Sequence, residues 1–214
     1  RTPTLADYAQ TYLGRLAQMR DAKRPHTVKR ERNSLERLKR LMGDLRLRQI
    51  TPAVIRDYQA RRQGEGLAGR SVNIETQVLR NVLTSAVQDG FIPGLPAPWP
   101  DKLRETARKR RLLTHAELDR VCKACVTESP TTGQLVADFL RLMAYSGGRW
   151  GETLRLRWQD VDFDRRQIHF GADGLSKNGE ARAVDFNASL ESHLKDMVSR
   201  RRPDSVYVFP SPRS

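Results

Sequence analysis

The 214-residue chain has no hydrophobic run approaching the roughly 18 residues that a membrane-spanning helix needs. Its first residues, RTPTLADYAQ, hold no apolar stretch of the kind that forms a secretory leader. A cytoplasmic protein is therefore expected, with no membrane partner. An initiating methionine is also missing, so the sequence reads as a piece excised from a longer protein. Cysteine is scarce. Cys122 and Cys125 stand in a single CKAC, without a second pair or paired histidines to complete a zinc site. They read as small side chains one helical turn apart, suited to a reducing compartment. No internal repeat or low-complexity segment is evident.

Acidic residues are in short supply, but unevenly so. The net charge is +14. Residues 1–111 hold 24 Lys/Arg against 11 Asp/Glu, whereas residues 112–214 hold 15 against 14. A basic first half joined to a near-neutral second half points to a polyanion, nucleic acid above all, gripped mainly by the first half.

Hydrophobic periodicity predicts four helices in the first 90 residues. Thr4 caps the first, with Asp7 three residues on, and Leu5, Tyr8, Tyr12, Leu16 and Met19 form its apolar stripe. Thr27 opens the second, which stops at Gly43. Thr51 and Pro52 are an N-cap and N1 pair for the third, which breaks at GEGLAG. The fourth starts near Arg70 and ends at Gly90. Pro93, Pro96, Pro98 and Pro100 then forbid a regular helix, and the basic run Arg108, Lys109, Arg110 and Arg111 follows. The expected domains are a helical one over 1–91, a stiff basic linker over 92–112, and a second domain over 113–214. That linker suits a path along a phosphate backbone.

Thr114 with Glu117 is a capping box that opens the second domain. Helices are expected at about 115–127 and 133–145. Beyond them the period turns to alternation. RQIHFG reads as a strand, GLSK and EARAVDF flanking Asn178-Gly179 as a hairpin with a type I′ turn, and SVYVFPS as a short buried strand. Ser189 to about Arg201 reads as a helix. The fold class is thus mainly α with a small β-sheet.

The most informative stretch is SGGRWGETLRLRWQDVDF, residues 146–163. Gly147 and Gly148 permit a tight turn before Arg149. Arg149 then stands at a helix N-terminus, where backbone N–H groups already favour an anion and a guanidinium adds a two-pronged clamp for phosphate. Glu152, one turn on, caps that helix or holds Arg149. Lys177 precedes the Asn-Gly turn and reaches out from a hairpin tip, where it suits phosphate contact or proton donation to a leaving oxygen.

YSGGRWGETLRLRWQDVDF resembles the first arginine box of the tyrosine recombinases, the phage integrase family: Thr-Gly-x-Arg-x-x-Glu, then Leu-x-x-Leu and Trp-x-Asp-Ile-Asp. Ser146 replaces the common Thr and Gly148 a common Leu. LSKNGEARAVDF resembles the family's β-hairpin, in which a Lys precedes a short turn and Arg-x-Val follows. The basic four-helix region resembles the family's core-binding domain, followed by part of an α+β catalytic domain. The resemblance implies a site-specific DNA recombinase that cleaves and rejoins DNA through a phosphotyrosyl link, without metal or other cofactor, and implies a phage or mobile-element origin. Arg149 would neutralise non-bridging phosphate oxygens, Glu152 would support it, and Lys177 would protonate the leaving 5′-oxygen. Helices two and four would face the grooves of double-stranded DNA, with Thr27, Lys29, Arg30, Arg70, Ser71 and Asn73 at their starts and Arg108 to Arg111 on the backbone. The full-length form would act as a homotetramer on DNA, with accessory DNA-bending or directionality proteins, and this fragment as a monomer.

The family also needs a His-x-x-Arg box and a late nucleophilic tyrosine. None of His26, His115, His169 and His193 has Arg three residues on. Tyr8, Tyr12, Tyr58 and Tyr145 precede the nucleophile's place, and Tyr207 in VYVF matches the strand ahead of the His box. The 214 residues are therefore expected to bind DNA without cleaving it. The alternative is a non-catalytic DNA-binding protein derived from an integrase. A metal nuclease using Asp160, Asp162 and Asp164 is the weaker third reading, because that run lies where the family enters its first strand.

Overall fold

The computed structural model describes residues 2–18, 23–106, 111–172, 174 and 181–211. The chain falls into two units, Arg1–Lys109 and Arg110–Ser214.

The first unit is built from α1 (Leu5–Gln18), α2 (Pro25–Met42), α3 (Pro52–Gly64) and α4 (Gly69–Gln88). Its starts follow the capping chemistry. Thr4 Oγ1 accepts from the Asp7 amide at 3.2 Å and donates to its carboxylate at 2.8 Å. Thr51 Oγ1 accepts from the Val54 amide ahead of Pro52. One start differs from expectation. α2 opens at Pro25, two residues before Thr27, because proline's fixed φ and missing N–H suit the first helical position. Met19, assigned to the α1 stripe, lies outside the described residues.

The apolar faces meet in one core, with Leu5, Leu35, Leu38, Ile55, Leu79 and Leu83 fully buried. A buried polar network is set into this unit. Glu75, 1% exposed, accepts from Tyr58 Oη at 2.7 Å and from Arg62 Nε and Nη2 at 2.9 and 3.0 Å. Burial pushes the Glu75 carboxyl up, but the Arg62 and Tyr58 hydrogen bonds outweigh it and hold it below the usual carboxylate range.

The proline-rich segment is not a free linker. Ile92 is buried in the core of the first unit, and Leu95 and Trp99 pack against it. The Arg80 guanidinium lies 5.4 Å from the Trp99 ring centre. Asn73 accounts for the next stretch: its amide donates to the Leu103 carbonyl at 2.9 Å and to Glu105 at 3.1 Å, and its oxygen accepts from the Leu103 amide at 2.8 Å. Residues 92–106 form a strap on the helical unit.

The second unit starts at the expected capping box, in which Glu117 N donates to Thr114 Oγ1 at 3.3 Å and Thr114 N to Glu117 Oε2 at 3.0 Å. α5 (His115–Glu128) and α6 (Gly133–Ser146) follow, then the single-turn α7 (Trp150–Leu154). Cys122 on α5 is buried with its thiol on the Ala137 carbonyl, and burial pushes that thiol up.

Three antiparallel strands, β1 (Val161–Asp162), β2 (Gln167–Phe170) and β3 (Arg182–Asp185), lie in sequence order. The register pairs Val161 with Ile168, Ile168 with Val184, and Phe170 with Arg182. β2 alternates as predicted, with Ile168 and Phe170 buried in a core that α6 and α8 (Ala188–Ser199) complete through Leu142, Leu190 and Leu194.

β3 pairs with β2, and apart from Gly174 and Ala181 the expected GLSK–Asn178-Gly179 hairpin tip lies outside the described residues. SVYVFPS is not a strand. It makes one bridge, Arg157 with Tyr207, and only Val208 and Phe209 of its apolar residues are buried. Asp160 and Asp162 serve backbone turns, accepting from Arg157 N at 3.1 Å and Arg165 N at 2.8 Å.

The first unit generates three predictions. Replacing Glu75 with Leu leaves the buried Arg62 guanidinium with Glu65 as its remaining acid and Tyr58 Oη without its acceptor, and is expected to cost about 2–4 kcal/mol, read from the urea midpoint. Because the folded-state carboxyl titrates below its unfolded value, Glu75 stabilises the fold above about pH 4.3 and loses that effect as pH falls through its folded pKa; Glu75→Gln should flatten this part of the acid limb. Asn73→Ala should release the strap, so limited trypsin digestion is expected to cut faster at Lys102 and Arg104 while the helical unit stays folded.

Candidate active site

The site is built where α6 ends. Gly147 caps α6 in the left-handed region, φ 62°, a conformation that costs glycine nothing and other residues strain. Gly148 answers a different constraint. A Cβ there would run into Thr153 Oγ1 and would lie 2.9 Å from Phe170 Cζ. The Gly148 amide donates to Ser146 Oγ at 3.1 Å, and Ser146 Oγ donates in turn to the Leu142 carbonyl at 2.6 Å. The chain therefore reverses in a confined bend and delivers Arg149 as the N-cap of α7.

Arg149 and Glu152 come together as the spacing predicts. Arg149 Nη1 donates to Glu152 Oε1 at 2.6 Å, and the Arg149 amide donates to Glu152 Oε2 at 3.4 Å. Glu152 thus both caps the turn and holds the guanidinium. Its side chain is 4% exposed whereas that of Arg149 is 56% exposed, so the acid lies beneath and the cation faces solvent.

A third residue joins them that the sequence analysis did not assign to the site. Arg182, at the start of β3, donates from Nη2 to Glu152 Oε2 at 3.2 Å and to the Gly147 carbonyl at 3.0 Å. Its guanidinium carbon lies 5.0 Å from the centre of the Phe170 ring, its partner in the strand register. Arg182 was legible only as the Arg of an Arg-x-Val pattern; its role in the site depends on the pairing of β3 with β2. Burial pushes the Glu152 carboxyl up, but the hydrogen bonds from Arg149 and Arg182 outweigh this and hold it below the usual carboxylate range. Two guanidinium groups on one carboxylate leave a net positive cluster open on the Arg149 side. Such a cluster binds an oxyanion and stabilises charge that builds on it.

The other expected residues are placed as follows. Lys177, Arg108, Lys109 and Arg110 lie outside the described residues. Arg111 is exposed and pairs with Glu117. Lys29 and Arg30 are exposed on the first turns of α2 with Thr27 half-buried beside them, and Arg70 and Ser71 are exposed at the start of α4. Asn73 departs from expectation: it is buried and its amide is taken up by the strap, because α4 turns that position inward. Tyr8, Tyr12 and Tyr58 are buried in the first unit, and Tyr207 is 42% exposed with the Arg157 guanidinium 5.7 Å from its ring centre. Among the described residues one group, Asp138, His193 and Asp196, brings metal-type ligands together. The Arg200 guanidinium already occupies it, bonded to Asp138 Oδ2 at 2.9 Å and Asp196 Oδ2 at 2.5 Å, so it reads as an ion-pair network.

No curated protein shows significant sequence similarity to the chain. Solved structures share its fold. Over 100% of this chain and 59% of the other, it is similar to the lambda integrase of a tetramer bound to a Holliday junction, with 19% identity and a TM-score of 0.81. Over 97% of this chain and 69% of the other, it is similar to the Tn1549 transposon integrase (residues 82–397, R225K) in complex with a circular intermediate DNA, with 16% identity and a TM-score of 0.72. The chain thus spans about three-fifths of the lambda integrase chain it resembles. Residues 4–104 match the phage integrase SAM-like domain, and residues 111–214 match the phage integrase family itself. With the arginine box folded as this bend and the helical unit matched as well, the chain belongs to the phage integrase family, the tyrosine recombinases.

Proposed function

We propose that this chain is the DNA-gripping and proximal catalytic portion of a site-specific recombinase acting on double-stranded DNA. The observation that carries the reading is the exposed Arg149 guanidinium, braced from below by a buried carboxylate at the mouth of a glycine bend. In this role Arg149 neutralises the non-bridging oxygens of the scissile phosphate as charge accumulates, and Glu152 keeps it aimed. Lys177 is the proton donor to the leaving 5′-oxygen. The first unit supplies most of the affinity through its cationic surface, with Lys29, Arg30, Arg70 and Ser71 at the helix starts, and the run Arg108 to Arg111, which crosses into the second unit, lies along the backbone. The lambda and Tn1549 integrases are solved on DNA, one of them as a tetramer, and that supports the same partner and an assembly on DNA here.

These 214 residues contain no His-x-x-Arg sequence. They are accordingly proposed to bind duplex DNA without cutting it, needing neither metal nor nucleotide.

The test is binding to an arbitrary short duplex, followed by fluorescence anisotropy. Affinity should fall by about a hundredfold or more between ~50 and ~200 mM salt, and Arg149→Ala should reduce the slope of log affinity against log salt by about 1. Affinity indifferent to salt would remove the basic grip from the account. Incubation with a nicked suicide duplex should give no covalent adduct on a denaturing gel; an adduct would overturn the assignment of this chain as non-cleaving.

A further inference from the structure

Arg149 is flanked in sequence by two groups that a single distant side chain holds. Gly147 lies two residues before it and Glu152 three after it. Arg182 Nη2, from a strand more than thirty residues on, donates to the Gly147 carbonyl at 3.0 Å and to Glu152 Oε2 at 3.2 Å. We infer that Arg182 is a positioning residue for the arginine box: its guanidinium clamps both sides of the α6–α7 bend and so fixes the direction in which Arg149 presents its charge.

Three features support this role over that of a second phosphate ligand. The Arg182 nitrogen facing the site is already divided between two acceptors. Its Nε is buried and has no hydrogen-bond partner among the described residues, so this end of a side chain that is 37% exposed is drawn inward at some cost. Its guanidinium also lies against Phe170, the buried ring that shares the tight space around Gly148. The clamp acts on the backbone carbonyl before Arg149 as well as on the acid after it. A guanidinium bonded to Glu152 alone would fix the helix turn but not tie it to the Gly147 carbonyl.

The inference rests on reading Arg149 as a phosphate ligand, and the experiment separates the two. The Arg149 Nε–Hε resonance is followed by 15N NMR in the 214-residue chain, assigned by its loss in Arg149→Lys, first in free protein and then on titration with a short duplex DNA. In wild type a single sharp resonance is expected, shifting as DNA is added. In Arg182→Gln it should broaden in the free protein and its DNA-induced shift should fall several-fold, with the Ile168 and Leu142 signals of the core unmoved. Arg182→Lys, which keeps the charge and a donor on the same strand, should recover part of each. Wild-type order and response in Arg182→Gln, or equal damage to the Arg149 signal in Arg182→Gln and Arg182→Lys, would overturn the positioning role. If Arg182→Gln fails to fold, Arg182→Lys with wild-type stability and an Arg149 signal as disordered as in Glu152→Ala would overturn it. A wild-type Arg149 resonance that is ordered but indifferent to DNA would instead sink the phosphate reading and leave the clamp standing.

Discussion

The second unit is organised around one carboxylate. Glu152 is almost fully buried, and a buried carboxylate is tolerable only if its charge is matched and its oxygens are bonded. Arg149 meets the first oxygen from the same helical turn, and Arg182 meets the second from β3. That requirement ties a local capping motif to strand pairing. The sheet must carry Arg182 to Phe170 and the bend must carry Arg149 over Glu152, or a charge is left unpaired in the interior. The cation that faces solvent is therefore a product of the whole unit.

What the residues disclosed in advance was whatever depends on near neighbours in sequence. The Thr114–Glu117 box, the Thr51-Pro52 start and the Arg149–Glu152 contact are all three-residue relations, and each is formed as the spacing predicts. What stayed hidden depends on distant partners. Asn73 sits among exposed polar residues at a helix start, yet it faces Leu103, and nothing near position 73 signals the strap. Four prolines correctly ruled out a helix over 92–100, but proline content cannot say whether an extended segment is free or docked; Ile92 and Trp99 settle that through packing. VYVF has strand composition but makes a single bridge, with backbone hydrogen bonds from Trp158 N to Val206 O and from Val208 N to Leu156 O, so its pairing stays too short for a strand despite its propensity.

The first unit shows how a strongly basic module keeps its own fold against self-repulsion. Its interior acids are arranged as hubs. Glu75 takes Tyr58 and Arg62, and Glu31 takes Lys23 at 2.6 Å and Tyr12 at 3.0 Å. Each hub draws a cation inward and leaves the outer turns of α2 and α4 to Lys29, Arg30 and Arg70. Fold and positive surface are thus reconciled by depth rather than by dilution of charge.

The crowding at Gly148 has an evolutionary consequence. In this chain Thr153 Oγ1, Phe170 and Ser146 Oγ already fill the volume that even a methyl group would take. The box cannot then drift one letter at a time. A larger residue at 148 requires the Thr153 side chain on α7 and the Phe170 ring on β2 to give way, so its cost depends on what stands at 153 and 170, and the three positions are expected to couple when exchanged.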